Sequence, residues 1–150
     1  FDEIFLRNTN TEATLRHLAT KYGHHRGGFK FYCDASSKAR STKAPTGKTD
    51  YLIIKNFTDL HDSMVFYPKK NPFRKDRFAT VNALMCNALG VRNLLINSKC
   101  KRLINDFRMM AYREGTTDPE NYDGTDIGHM SDGCGYMVFR VKPMKVLEQE

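Results

Sequence analysis

A chain of 150 residues, 40% of them hydrophobic, is long enough to bury one core. Its formal charge of +7 and isoelectric point near 9.3 are compatible with a polyanionic partner. No run approaches the roughly 18 consecutive apolar residues a membrane helix needs, and no signal-peptide pattern opens the chain, so a membrane partner is not expected. The sequence starts without Met on strand-like residues, and a fragment is expected.

In chain order, "FDEIFLR" places Phe1, Ile4 and Leu6 in loose alternation and predicts a strand. "TNTEATLRHLATKYG" predicts a helix. Thr9 and Glu12 match a capping box, Leu15, Leu18, Ala19 and Tyr22 fall at helical spacing, and Gly23 is a fitting stop. "GGFKFYCDAS" predicts a second strand with Asp34 at its carboxyl end. A polar loop follows from Ser36 to Gly47, and Thr49 or Asp50 then caps a short helix, "YLIIKNF". "SMVFYP" predicts a third strand. From Pro72 a helix should run to Gly90, with Phe78, Val81, Leu84, Met85 and Ala88 on its apolar stripe. "RNLLIN" predicts a short fourth strand. "KCKRLINDFRMMAYRE" predicts a helix burying Cys100, Leu103, Ile104 and Phe107, and residues 114–128 predict a mobile polar loop. "MSDGCGYMVFRVK" predicts a last helix with Cys134, Met137, Val138 and Val141 inward. Alternating strands and helices point to a single α/β layered domain over residues 1–150.

The four cysteines, Cys33, Cys86, Cys100 and Cys134, are scattered through apolar segments and predict reduced, buried thiols. A zinc site drawing on His24, His25 or His129 is the alternative, disfavoured because structural zinc usually shows close ligand pairs. Gly47-Lys48-Thr49 has the look of a phosphate loop. The position five residues before Gly47 is Thr42, and Pro45 removes an N–H donor, so no ATP site is expected.

Carboxylates are more telling. Asp34, followed by the small Ala35 and Ser36, lies where strand ends gather functional groups; its other reading is a surface turn. In "HMSDGCGY", His129 and Asp132 share one face of a helical turn, a pairing that suits a divalent ion. Ser131 or Asp132 could equally cap the helix. Gly133 and Gly135 weaken that helix by roughly 1 kcal/mol each relative to alanine and imply a close contact or a loose turn. Finally, "YPKKNPFRKDR" packs Lys69, Lys70, Arg74, Lys75 and Arg77 into nine residues ahead of a helix start. With Lys38, Arg40, Lys43 and Lys48 as a second bank, it suggests contacts to a nucleic-acid backbone; a solvated face is the other reading. Asp76 within the cluster reads first as an ion-pair partner and second as a ligand, and Asp126 is a further acidic candidate.

In order and spacing, these pieces resemble the C-terminal nuclease domain of a tailed-phage terminase large subunit. "FDEIFLRNTNTEATLRHLATKYG" resembles that domain's third strand and following helix, and "FYCDAS" the strand bearing its second catalytic carboxylate. "KKNPFRKDRFATVNALMCNALG" resembles a basic strand-to-helix segment. "LLINSKCKRLINDFRMMAYREGT" and "HMSDGCGY" resemble the closing elements, the latter with the last metal-ligand motif. The resemblance covers nearly the whole chain. It implies an RNase H-like mixed sheet flanked by helices, incomplete at the N-terminus, because the family's first carboxylate lies on an earlier strand that no residue here matches. It further implies Asp34, Asp132 and His129 as catalytic and metal-binding residues, with Mg²⁺ or Mn²⁺ in a two-metal site that activates water and stabilises the leaving 3′ oxygen. The implied partners are double-stranded DNA, the terminase ATPase domain, the small terminase subunit and the portal, at the procapsid in the host-cell cytoplasm. Gly133 and Gly135 depart from the bulkier residues common in the family. A DNA-binding or motor-docking module without chemistry, and a resolvase- or transposase-like core, are the rival readings.

Overall fold

The computed structural model describes residues 3–39, 48–116, 120 and 125–143. These form five helices and one small parallel sheet, a mixed α/β content, grouped in two compact units.

One unit spans Phe5–Asn71. Helix α1, Thr11–Tyr22, begins one residue later than the capping box requires: Asn10 is the N-cap, its Oδ1 accepting the Ala13 N–H at 2.9 Å. Glu12 pairs with Arg16 at 2.8 Å, one helical turn on, instead of closing a box. Strands β1, Lys30–Tyr32, and β2, Met64–Phe66, run parallel with Phe31 opposite Val65. Between them lie a 3₁₀ turn, Ala35–Lys38, and helix α2, Asp50–Lys55, whose N-cap is Thr49, one of the two residues expected. Helices α1 and α2 pack together and are tied by a 2.6 Å hydrogen bond from Thr11 Oγ1 to Asp50 Oδ1. Among the described residues of this unit, Leu15 and Leu60 are the buried apolar ones.

The other unit comprises Phe1–Ile4 and Pro72–Glu150. Helices α3, Arg74–Met85, and α4, Lys101–Met109, each pack on α5, His129–Val141. The stripes read from helical spacing meet here. Val81, Cys100, Leu103, Cys134 and Val138 form the buried core, with Leu84, Met85, Phe107 and Met137 packed against it. Val141, expected inward, is 51% exposed at the last turn.

Three expectations are corrected in this unit. Helix α3 stops at Met85 rather than continuing to Gly90, because Asn87 captures the chain: its Oδ1 accepts the N–H groups of Leu89 and Val91. Ala88 leaves the apolar stripe as a consequence and is exposed, and Cys86, expected as a buried thiol, is exposed at the helix end. Residues 92–97 form no strand, since the Asn93 and Leu94 N–H groups donate to the Leu84 carbonyl at the end of α3. Residues 3–6 form none either. Glu3 instead reaches the start of α4, its two carboxylate oxygens accepting the Arg102 and Leu103 N–H groups at 3.0 Å each. Much of the loop expected at 114–128, and residues 40–47 of the loop before α2, lie outside the described residues.

The thiols divide by burial. Cys100 and Cys134 are buried, and burial pushes Cys134 up to about 11; burial, with the Asp34 and Asp50 charges behind it, also raises Cys33. Under native conditions a thiol reagent should label Cys86 quickly, Cys33 slowly, and Cys100 and Cys134 only on unfolding. The unfolded Cys134 thiol ionises near 9.0, below its folded value. Its contribution to stability is therefore complete below pH 9.0 and is lost as pH climbs toward about 11, which denaturation at successive pH values will record.

Candidate functional site

Two places hold the carboxylates singled out by the sequence, one in each unit. The first is the carboxyl edge of the parallel pair. The Cys33 N–H donates to the Phe66 carbonyl at 2.8 Å, so the ladder runs to the end of both strands. Tyr32 and Phe66 stack across it, with ring centroids 5.2 Å apart. Asp34 follows immediately. Its Oδ1 accepts the Ser37 N–H at 2.9 Å, and Ser36 Oγ lies 2.8 Å from each carboxylate oxygen. Asp34 is thus the N-cap of the 3₁₀ turn while remaining half-buried at the strand end; the turn reading and the strand-end reading describe the same residue.

Around it stand Lys38, one of the basic bank, and Asn71, Tyr67 and Tyr51, which no sequence motif singles out. Asn71 Oδ1 accepts the Ala35 N–H at 2.6 Å. Tyr67, the residue after β2, accepts a hydrogen bond from Lys38 Nζ. The Lys38 ammonium also lies 3.8 Å from the Tyr67 ring centroid and 4.9 Å from that of Tyr51, and the two rings meet edge to face at 4.8 Å. The strand-end rule that selected Asp34 also selects Tyr67 when applied to β2.

The second place is the start of α5. Gly128 precedes it with φ of 96°, a left-handed conformation suited to glycine, and a Cβ there would stand 3.1 Å from Arg74 Nη2. Neither Ser131 nor Asp132 caps the helix. Asp106, buried on α4, does so from outside: its Oδ2 accepts the Met130 and Ser131 N–H groups at 3.0 Å each. Ser131 Oγ donates to the Gly128 carbonyl. Asp132 faces arginines, with Oδ1 2.9 Å from Arg77 Nη1 and 3.8 Å from Arg74 Nε. Arg77 is 5% exposed and lies 4.2 Å from the Tyr136 ring centroid; a Cβ at Gly135 would meet it only at ordinary van der Waals distance, 3.5 Å, and Gly133 faces open space, so neither glycine is required by a close contact. The Nε atoms of Arg74 and Arg77 are buried without a hydrogen-bond partner among the described residues. His129 is exposed one turn before Asp132, on the same helix face.

The basic bank is sorted by burial. Lys38, Lys48, Lys69, Lys70 and Lys75 are exposed and Arg74 is half-buried, whereas Arg40 and Lys43 lie outside the described residues. Arg77 is corrected from backbone contact to buried ion-pair partner, because its guanidinium is enclosed by Asp132, Tyr136 and Gly135. Asp76 sits in the first turn of α3, and Asp126 is exposed. His24 and His25 are exposed in the Phe5–Asn71 unit, and His129 belongs to the other. Among the described residues no three His, Cys, Asp or Glu side chains form a group able to hold a metal ion, and no helix is long and apolar enough to cross a membrane.

Each unit holds one of the singled-out carboxylates. Asp34 and Asp132 supply carboxylate oxygen, and both arginine contacts of Asp132 fall on Oδ1. Compared with known proteins, the chain matches no family model, no curated protein and no solved structure.

Proposed function

We propose that this chain is part of the nuclease domain of a viral DNA-packaging terminase, an RNase H-like endonuclease that cuts concatemeric double-stranded DNA with little sequence preference. The observation carrying this reading is Asp34, half-buried at the carboxyl end of β1 in a parallel pair, where such sheets gather catalytic groups. Asp132 and His129, on one face of α5, supply a second ligand pair, and both arginine contacts of Asp132 fall on Oδ1. Mg²⁺ or Mn²⁺, when bound, supplies Lewis acidity and a water of lowered pKa. The residues of the chain contribute the ligands, and the exposed lysines hold the DNA backbone by charge. The ATPase domain, the small subunit and the portal are the partners that go with this reading, at the procapsid in the host-cell cytoplasm.

The experiment is calorimetric titration with Mn²⁺. Site-specific binding should be lost in Asp34→Ala and in Asp132→Asn, the asparagine being chosen so that Arg77 keeps an acceptor. The chain alone should cleave DNA poorly, since no residue matches the family's first carboxylate. A flat titration sinks the nuclease reading.

That outcome would favour a DNA-binding or motor-docking module. A specific observation supports this second reading: each carboxylate already has a structural task, Asp34 as the cap of a 3₁₀ turn and Asp132 as the counter-ion of Arg77.

A further inference from the structure

A surface lysine ordinarily samples many rotamers around a hydrated ammonium, so it attracts a polyanion without fixing where the anion sits. Lys38 is different. Its ammonium is held by the Tyr67 hydroxyl and lies over the faces of Tyr67 and Tyr51. Both rings belong to the scaffold: Tyr51 is in α2, which packs on β2 and on the 3₁₀ turn, and Tyr67 directly follows β2.

The register then places this group. Tyr32 pairs with Phe66, so Asp34 and Tyr67 emerge at the same carboxyl edge of the sheet, Asp34 two residues past its partner and Tyr67 one. The 3₁₀ turn that Asp34 caps ends at Lys38 itself, so one short turn carries the carboxylate at its start and the restrained ammonium at its end. An ammonium has three donors, and the bond to Tyr67 uses one. The Tyr67 hydroxyl, acting there as acceptor, keeps its own proton to donate. Two adjacent donors, one of them cationic, match the two non-bridging oxygens of a phosphodiester.

We propose that Lys38 and Tyr67 form a phosphodiester contact beside Asp34, with Lys38 carrying the charge and Tyr67 acting as its positioning residue. This inference rests on the nuclease reading of Asp34 and deepens it by locating the DNA phosphate relative to that carboxylate.

The test is binding of a short fluorescent DNA duplex, by anisotropy across a salt series in Ca²⁺, to the 150-residue chain and its variants. Lys38→Met should weaken affinity about tenfold and reduce the slope of log affinity against log salt by about 0.9, the value of one phosphate contact. Tyr67→Phe keeps the ring and the charge, so it should weaken binding less and leave the slope unchanged. Lys38→Arg should restore the slope. An unchanged slope in Lys38→Met overturns the contact, and wild-type affinity in Tyr67→Phe overturns the positioning role. Mn²⁺ calorimetry on the same variants separates this inference from the reading beneath it. Asp34-dependent Mn²⁺ binding with an unmoved salt slope defeats the inference alone. A flattened slope without any Mn²⁺ binding defeats the nuclease reading and leaves the phosphate contact standing.

Discussion

Replacing Asp106 with alanine will destabilise the unit built on α3, α4 and α5 by about 3 kcal/mol. The side chain is 3% exposed, and one of its oxygens accepts two N–H groups at the start of α5. A hydrogen bond to a charged acceptor contributes about 1.5–3 kcal/mol, and each abandoned N–H in a water-poor site costs about 1–3 kcal/mol. The carboxylate also sits against the positive end of a helix of 13 residues. For a chain of this size, 3 kcal/mol is a fall in melting temperature of about 6–12 °C. Asp106→Asn keeps an acceptor oxygen and should recover at least half of the loss. Urea denaturation of the three proteins measures this. A loss below about 1 kcal/mol for the alanine variant would mean that α5 finds another cap.

The second large effect concerns Arg77 and Asp132, and it is asymmetric. Asp132→Ala leaves a guanidinium that is 5% exposed without its counter-charge. Orphaning a fully buried charge costs about 3–5 kcal/mol; the Asp132 side chain is 32% exposed, so solvent screening brings the expected cost to about 2 kcal/mol. Arg77→Met removes the charge and fills much of the same volume beside Tyr136 and Gly135, so it should cost less than Asp132→Ala. With Arg77→Met in place, adding Asp132→Ala should cost almost nothing further. This double-mutant cycle would fail if the two losses simply added. It also bears on function: metal binding lost in Asp132→Ala would confound ligand removal with a disturbed Arg77, which is why Asp132→Asn is the informative variant.

These two residues mark where the sequence stopped being legible. The strands β1 and β2 and all five helices follow from local pattern, since apolar spacing and Pro or Gly punctuation are properties of neighbouring residues. Asp34 was legible as a strand-end carboxylate because strand and residue are contiguous. In the sequence Arg77 is one charge among five, because its position in "FRKDR" says nothing of burial. What buries it is Asp132 and Tyr136, on a helix more than fifty residues away in sequence. The strands expected at the N-terminus and at 92–97 failed for a related reason: their polar backbone and side-chain groups find partners on α3 and α4 rather than in a ladder.

By itself the sequence determined the helices, the two strands with Asp34 at the end of the first, and the apolar stripes of the core. Local geometry suffices for these, because periodicity and turn chemistry act over a few residues. The parallel pairing of those strands across 34 residues is tertiary. Only the tertiary structure decided how the helix ends are closed and which charges are exposed. Glu3 caps α4 and Asp106 caps α5, each across a sequence separation that no local motif records. Lys38 becomes a restrained cation rather than a loose one only when β2 and α2 bring Tyr67 and Tyr51 to it. The physical reason is common to all three: an unpaired helix N–H or a cation will take any acceptor or ring face within reach, and the fold alone sets what is within reach.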